Sequence, residues 1–315
     1  MKCTKCSSKK VTKKGKSGGK QRYLCSECGV KFSKNNKQKI DFNKCLDEYI
    51  FGKQVLRELE EVYHITKKKF RSLLKAFIPP GKIHNPRSIN LITDATYFGK
   101  RKDKSSWGVI LARDAKEKED LHWLFLEKET KEAYLLSRLE LEKHGYKILS
   151  VTADGFLGLP NVYNDIPFQT CLFHISKMIV RGVTRSPKTD AGRELLELSY
   201  RIHEIQKSEF ETWLHTFIET YRDFLNEKTR LPSGRSFSTH KKINSVIHTL
   251  TNSFPYLFTY QKYPELNIPK TSNSIESHFS HIKDILRIHR GLSRAIKEKI
   301  LHMIFMNSSI VKKRK

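Results

Sequence analysis

The sequence predicts an α/β protein whose mixed sheet carries helices on its faces, preceded by a small cysteine-rich segment and a group of short helices. Three observations support this prediction. Two Cys-x-x-Cys pairs open the chain, helical periodicity follows over residues 42–77, and from residue 89 apolar runs of strand length alternate with helical segments. The 315 residues suffice for about two domains and for a sizeable core without disulfides.

The net charge of the chain indicates what kind of partner it binds. Sixty Lys and Arg against 33 Asp and Glu give a net charge of +27, and this excess costs self-repulsion unless a polyanion such as nucleic acid offsets it. An acidic membrane surface is the alternative, but no basic amphipathic helix stands out. No apolar run approaches the roughly 20 residues of a membrane span, and the N-terminus is not a secretory signal. We therefore expect a cytoplasmic protein that binds nucleic acid and no membrane.

Four cysteines near the start of the chain predict a structural zinc site. They form the pairs Cys3/Cys6 and Cys25/Cys28, separated by 18 residues. Two residues between cysteines let each pair direct both thiolates at one ion, and two pairs complete the tetrahedron that Zn²⁺ prefers. Residues 15–19 predict a turn and residues 21–24 a ribbon strand. A redox-active dithiol pair is the alternative interpretation.

The cysteine-rich segment is also strongly basic. Residues 1–39 hold thirteen Lys and Arg and a single acid, Glu27, which favours a surface that contacts phosphates over a merely solvated charge run. The remaining cysteines, Cys45 and Cys171, are isolated, as is usual in a reducing compartment.

Residues 42–77 predict three short helices, of which the third is basic. Thr66 is in a position to cap this third helix, whose first turns carry Lys67, Lys68, Lys69 and Arg71. A short helix, a turn and a basic helix form the helix-turn-helix layout, in which the second helix enters the major groove of DNA. A plain three-helix bundle with a solvated basic face is the alternative. Two prolines at 79–80 then end the helical segment.

The middle of the chain predicts the mixed sheet. The expected strands cover residues 89–94, 107–112, 121–126, 146–153 and, as a fifth, 168–173. Thr130 caps a helix to about Lys143 between the third and fourth strands, so that hairpins and a crossover share one sheet. Residues 175–261 are expected to be helical, with a capping box at Ser208 and Glu211. A last helix opens near Ser272.

Three carboxylates are the candidates for chemistry. Asp94 is expected to end the first strand and Asp154 the fourth, and functional groups collect where strand ends meet loops. Glu276 lies early in the last helix, with Asp284 as its substitute. Three close carboxylates repel one another unless they hold hard cations such as Mg²⁺. Two such ions can activate a water or a 3′-hydroxyl and stabilise the leaving oxygen. A single aspartate at the end of a strand more often caps a turn or a helix, so other acids of the chain remain alternative metal ligands.

Four segments around these acids carry a resemblance to a known family. They are residues 92–99 (ITDATYFG), 152–159 (TADGFLGL), 171–174 (CLFH) and 272–277 (SNSIES). Their order and spacing resemble those of Mutator-like bacterial insertion-sequence transposases, which are DDE enzymes with an RNase H-like core, and in particular the variant with an N-terminal zinc ribbon. The resemblance spans nearly the whole chain, including an α-helical insertion at residues 183–268.

The resemblance implies a function and a set of site residues. Asp94, Asp154 and Glu276 would bind Mg²⁺ or Mn²⁺, and Cys171 and His174 match the family's C-x2-H signature. The stretch 287–293 (RIHRGLS) is also similar and adds Arg287 and Arg290 to the expected DNA contacts. The implied protein is a prokaryotic transposase that is located in the cytoplasm and associated with the nucleoid. It would bind the terminal inverted repeats of an insertion sequence in double-stranded DNA as a homodimer and catalyse Mg-dependent cleavage and strand transfer.

Several alternatives stay open at this point. A DNA-binding regulator with an inactive core and a related metal-dependent nuclease both fit the same motifs. Cys171 also fits a small buried hydrophobe, and His174 a core histidine, although we expect His174 to orient Asp154 or the scissile phosphate. His278 and His281 flank the last helix and either face DNA or are simply exposed.

The expected domain organisation follows from these motifs. The boundaries are residues 1–39 for the zinc ribbon, 40–80 for the helix-turn-helix domain, 88–182 for the first part of the catalytic core, 183–268 for the insertion and 269–315 for the last helices and the basic tail.

Overall fold

The computed structural model describes residues 1–33, 41–99, 106–155 and 158–308. The chain divides into two compact units, Met1–Leu73 and Leu74–Lys315. The end of the predicted ribbon segment (34–39), residues 156–157 of the second motif and the basic tail from 309 lie outside the described residues.

The first unit opens with a small antiparallel sheet that holds the cysteines. Its strands, in the order β1-β2-β3, are β1 (Val11–Ser17), β2 (Lys20–Cys25) and β3 (Lys31–Ser33). The turn predicted for 15–19 is shorter than expected, because β1 continues to Ser17. Gly15 lies at a register shift within β1, and its φ of +64° is a conformation that glycine adopts without strain.

Three helices follow the small sheet, as predicted, and the third extends past the boundary of the first unit at Leu73. They are α1 (Phe42–Ile50), α2 (Leu56–Tyr63) and α3 (Lys67–Ala76). The Thr66 hydroxyl accepts a hydrogen bond from the backbone N–H of Lys69 at 3.3 Å and so caps α3 as expected. Phe70 fixes α3 against α1, since its ring lies 5.7 Å from that of Phe42 and 4.9 Å from that of Tyr49. The basic side chains at the start of α3 remain exposed.

The second unit is built on a five-stranded mixed sheet. Its strands are β4 (Ser88–Phe98), β5 (Trp107–Asp114), β6 (Asp120–Leu126), β7 (Lys147–Ala153) and β8 (Phe168–Thr170). Their order is β6-β5-β4-β7-β8. The β4–β5 and β5–β6 pairs are antiparallel, whereas β7 runs parallel to β4 and to β8. This strand order and direction are those of an RNase H-like core, which confirms the predicted fold class.

Two strands end elsewhere than predicted, and both differences concern site residues. β4 does not end at Asp94 but runs on to Phe98, because β5 pairs with it as far as Trp107 opposite Phe98. Pairing with β7, in contrast, stops at Ile92, so Asp94 lies just past the end of the parallel neighbour. β8 ends at Thr170 instead of residue 173, and the next residue, Cys171, is already the N-cap of a helix.

Helices flank the sheet and form the insertion. In chain order they are α4 (Lys131–Lys143), α5 (Leu159–Val162), α6 (Leu172–Val183), α7 (Asp190–Arg201), α8 (Lys207–Thr220), α9 (Arg222–Asn226), α10 (Lys241–Leu257), α11 (Thr259–Lys262), α12 (Asn273–Ile288) and α13 (Arg294–Met306). Thr130 caps α4 as predicted, through a 3.3 Å hydrogen bond from the N–H of Ala133. Across the part of the chain that the structure describes, no helix is both long and apolar enough to cross a membrane.

The insertion has its own apolar core and departs from the prediction in two details. The rings of Phe210, Phe254 and Phe258 pack together, and the aromatic residues of α8 (Phe210, Trp213 and Phe217) belong to this core. The predicted capping box is wrong, because α8 begins at Lys207 with Gln206 as N-cap, which places Ser208 inside the first turn. A two-stranded hairpin, which was not expected, interrupts the helices. Its strands are β9 (Lys228–Arg230) and β10 (Ser236–Ser238).

Candidate active site and cysteine cluster

The four cysteines of the first unit converge on one point. Their Sγ atoms all lie within 4.8 Å of one another, with 3.5 Å between Cys3 and Cys28 and between Cys6 and Cys25. A tetrahedron of Zn–S bonds of about 2.3 Å places sulfurs about 3.8 Å apart, so this spacing fits a zinc ion. Backbone N–H groups of Cys6 and Lys5 lower the pKa of Cys3 to about 6. Against a backbone hydrogen bond at Ser8, contact with Cys28 raises the pKa of Cys6 to about 12, so thiols this close do not all ionise unless a cation is bound. The cluster therefore fits a zinc ribbon.

Asp94 lies at the centre of the second unit's sheet and is 7% exposed. The backbone N–H of Ala95 donates to its Oδ1 at 2.8 Å and fixes the carboxylate. Burial and the nearby charge of Asp154 raise the pKa of Asp94 to about 7, against the opposing effects of His174 and the Ala95 hydrogen bond. A buried carboxylate under this repulsion is a group that a bound cation would stabilise.

Glu276 projects from the first turn of α12 and is held by two side chains of α6. Its Oε1 lies 2.9 Å from Nε2 of His174, and its Oε2 accepts a 2.8 Å hydrogen bond from Nζ of Lys177. The ammonium group of Lys177 also lies 3.9 Å above the ring of Phe173. Lys177 was not predicted. Lys177 follows His174 by about one turn of α6, which starts at Leu172. Because the sequence predicted a strand over 168–173, this helical spacing was not recognised.

The structure brings Asp94, His174 and Glu276 together, with one ligand atom of each within 4.8 Å of the others. Two carboxylates offer the oxygen ligands that Mg²⁺ and Mn²⁺ prefer, so these side chains fit a hard cation. Asp154 is placed outside this group, directly after the end of β7, yet its charge acts on Asp94. His174 was expected to orient Asp154 or the scissile phosphate. In the structure it contacts the carboxylate of Glu276 directly.

Cys171 connects the two helices that carry this group. Its buried Sγ accepts two hydrogen bonds of 3.2 Å from Ser272, one from the backbone N–H and one from the hydroxyl. Although burial opposes it, the contact with Cys171 and the charges of Asp94 and Glu276 raise the pKa of His174 to about 9. Cys171 thus ties the N-cap of α6 to the N-cap of α12, a role beyond that of a small hydrophobe in a strand.

A buried ionic network on the sheet was missed by the sequence reasoning. Asp120 of β6 is fully buried, its Oδ1 accepts from the Arg113 guanidinium of β5, and its Oδ2 lies 2.7 Å from Nε2 of His278. His278 follows Glu276 by two residues, so this contact anchors α12 on the sheet. The expectation that His278 faces DNA or solvent is therefore wrong. A charged residue directly after the apolar run 107–112, as Arg113 is, is the signal that could have indicated such a network.

The expected DNA-contacting residues are exposed. Lys67, Lys68, Lys69 and Arg71 lie on the surface of α3, and Arg287 and Arg290 lie at the end of α12 and just after it. Asp284, the substitute for Glu276, is exposed and forms an ion pair of 2.9 Å with Arg287. Of the two acids on α12, it is Glu276 that meets Asp94.

Comparison with known proteins finds distant structural likenesses. No family model matches the chain, and no curated protein matches it. Among solved structures, the Drosophila P element transposase strand transfer complex is similar over 88% of this chain and 95% of that chain, with 9% identity and a TM-score of 0.44. A simian T-cell lymphotropic virus intasome with the PP2A regulatory subunit B56 gamma is similar over 65% of each chain, with 11% identity and a TM-score of 0.24. NurA bound to dAMP and manganese is similar over 69% of this chain and 62% of that chain, with 13% identity and a TM-score of 0.14.

Proposed function

We propose that this protein is a DDE-type DNA transposase that binds the ends of a mobile element and catalyses metal-dependent cleavage and strand transfer. The observation that carries the proposal is the meeting of Asp94 and Glu276 on an RNase H-like sheet, with Asp154 at the end of the adjacent strand. The two carboxylates that meet come from distant parts of the chain, and the resemblance of their sequence surroundings to Mutator-like transposases supports the same assignment.

Asp94, Asp154 and Glu276 are the residues that would hold Mg²⁺ or Mn²⁺. When bound, the metal supplies Lewis-acid activation of a water or 3′-hydroxyl and stabilises the leaving oxygen. The chain's own groups prepare the site for this chemistry. The N–H of Ala95 orients Asp94, while His174 and Lys177 hold both oxygens of Glu276. The Lys177 ammonium, which is partly exposed, is also placed to contact a DNA phosphate.

DNA-end binding is assigned mainly to the first unit. The exposed basic residues of α3 would enter the major groove, and the basic ribbon held by the four cysteines would add phosphate contacts. Arg287 and Arg290 are proposed to contact DNA close to the catalytic site. The proposed substrate is the terminal inverted repeats of the element, because a transposase must recognise the DNA ends that it cleaves.

The test separates binding from chemistry. Asp94→Ala, Asp154→Ala and Glu276→Ala should each lower cleavage and strand transfer by at least about 10²–10³-fold, the scale on which lost stabilisation of transition-state charge acts. The same variants should bind element-end DNA in gel-shift assays within about twofold of the wild type, because α3 is untouched. Asp284→Ala, which removes an exposed acid of the same helix, is the matched control and should retain activity.

The outcomes distinguish the rival functions. Active Glu276→Ala protein would exclude Glu276 from the site. Wild-type protein that cuts DNA but does not join pre-cleaved ends would be a metal-dependent nuclease. Wild-type protein that binds ends without cleaving them, with Mg²⁺ or Mn²⁺ present, would be a DNA-binding regulator.

A further inference from the structure

Helix α4 presents an apolar stripe to solvent. It packs on the sheet through Ala133, Tyr134, Ser137 and Leu141, which are buried. On the opposite side, Leu135, Leu136 and Leu139 are 42%, 59% and 50% exposed. At 3.6 residues per turn these leucines share an arc of about 100° with Glu132 and Lys143, which lie at the two ends of the helix. A helix face that meets only water is ordinarily polar, so a packing partner is the natural explanation of this stripe.

The charge of α4 sets it apart from the rest of the chain. The helix carries three basic residues (Lys131, Arg138 and Lys143) and three acids (Glu132, Glu140 and Glu142), so its net charge is zero. The whole chain, in contrast, has a net charge of +27. A neutral face with three exposed leucines has no attraction for a polyanion, whereas it lets two highly basic molecules approach each other. The surface therefore fits a protein partner and not DNA.

The arrangement of charges along the stripe identifies the partner. In an antiparallel pair of α4 helices related by a two-fold axis, residue numbers facing each other add to 275. Leu136 then faces Leu139 of the other copy, and Glu132 faces Lys143, with each contact made twice. Only in the antiparallel arrangement does each end of the stripe face the opposite charge on the other copy.

We propose that α4 is a self-association surface on which a second copy of this chain packs its own α4 antiparallel. Leu136 and Leu139 form the apolar centre, Leu135 lies beside them, and Glu132 and Lys143 set the direction. One pair of 13-residue helices forms a small interface, so the dimer is concentration-dependent. The inference is independent of the proposed catalytic function, because none of these residues belongs to the candidate active site.

The first experiment measures self-association of the full chain, freed of nucleic acid by nuclease treatment, by sedimentation equilibrium over roughly 1–100 μM. The wild type should dimerise. Leu136→Glu/Leu139→Glu, which brings like charges together at the centre, should raise the dimer dissociation constant by at least about 100-fold. Leu231→Glu places the same charge on an exposed leucine outside α4 and should leave the constant unchanged. A wild type that stays monomeric throughout this range would overturn the proposal.

The second experiment tests the direction of the helices. Glu132→Lys and Lys143→Glu should each weaken self-association, because each variant puts like charges opposite each other at both ends. An equimolar mixture of the two variants should form a heterodimer of near wild-type affinity, since both end pairs are again opposite in charge. Circular dichroism should show that each variant keeps the overall helical content of the wild type. Two single variants that associate as tightly as the wild type, or a mixture that fails to associate, would refute the antiparallel pairing.

Discussion

Loss of the Asp120 carboxylate is expected to destabilise the second unit strongly. Asp120 is fully buried and Arg113 is 4% exposed, so Asp120→Ala leaves a guanidinium in the protein interior with its main partner gone. Removing one partner of a buried ion pair costs about 3–5 kcal/mol, a large part of a typical stability of about 5–15 kcal/mol. Arg113→Met/Asp120→Leu removes both charges and should recover most of the loss, because the desolvation cost disappears with them.

Urea unfolding followed by tryptophan fluorescence measures this effect. Trp107, Trp123 and Trp213 all lie between residues 74 and 315, so the signal reports on the second unit. Asp284→Ala, which removes an exposed partner of Arg287, is the control and should cost no more than about 1 kcal/mol. If Asp120→Ala unfolds within about 1 kcal/mol of the wild type, or the double variant is no more stable than the single, the reasoning is refuted.

Three further predictions concern metal, salt and pH. Purified protein should carry about one equivalent of zinc, and Cys25→Ser should lose it and weaken DNA binding; full zinc content in this variant contradicts the cysteine site. Lys68→Ala should make the slope of log affinity against log salt shallower by about one unit, and an unchanged slope means that Lys68 contacts no phosphate. Although burial opposes it, hydrogen bonds from Lys82 and Arg87 lower the pKa of Glu119 below its usual 4.5, so its stabilisation is present above that pH and lost as pH falls below it. The stability advantage of wild type over Glu119→Gln should accordingly stay nearly constant from pH 7 to pH 5 and shrink as the pH falls below 4.5 in urea titrations.

Local sequence signals were sufficient for most of the helices and strands. The apolar runs at 107–112 and 121–126, the cap at Thr130 and the cysteine pairs each depend on neighbours in sequence, and the structure has them as expected. The end of β4 was misplaced because a polar Asp94 within a strand looks like a terminus. Pairing with β5 extends the strand, and that pairing is a tertiary contact.

Contacts between distant segments could not be predicted in the same way. The ion pair of Lys177 with Glu276 joins residues 99 positions apart, and the contact of His278 with Asp120 joins residues 158 positions apart. No periodicity encodes such a pair, because periodicity reports only which face of an element is apolar. Arg113 and Asp120 lie just outside the predicted strands 107–112 and 121–126, so their burial became visible only when the structure extended both strands.

The placement of Glu276 depends on contacts at the two ends of the insertion and not on the insertion's length. The backbone N–H of Leu172, where the chain leaves the sheet, donates to the carbonyl of Lys270, where it returns, at 3.0 Å. The Thr152 hydroxyl donates to the carbonyl of Pro269 at 2.8 Å, and Ser272 donates to Cys171. The insertion has its own apolar core, so its fold brings these two ends together. The contacts at the site therefore do not have to offset the entropy of closing a long flexible loop. The segment before α12 is thus fixed directly to β7 and α6, which in turn directs Glu276 toward Asp94.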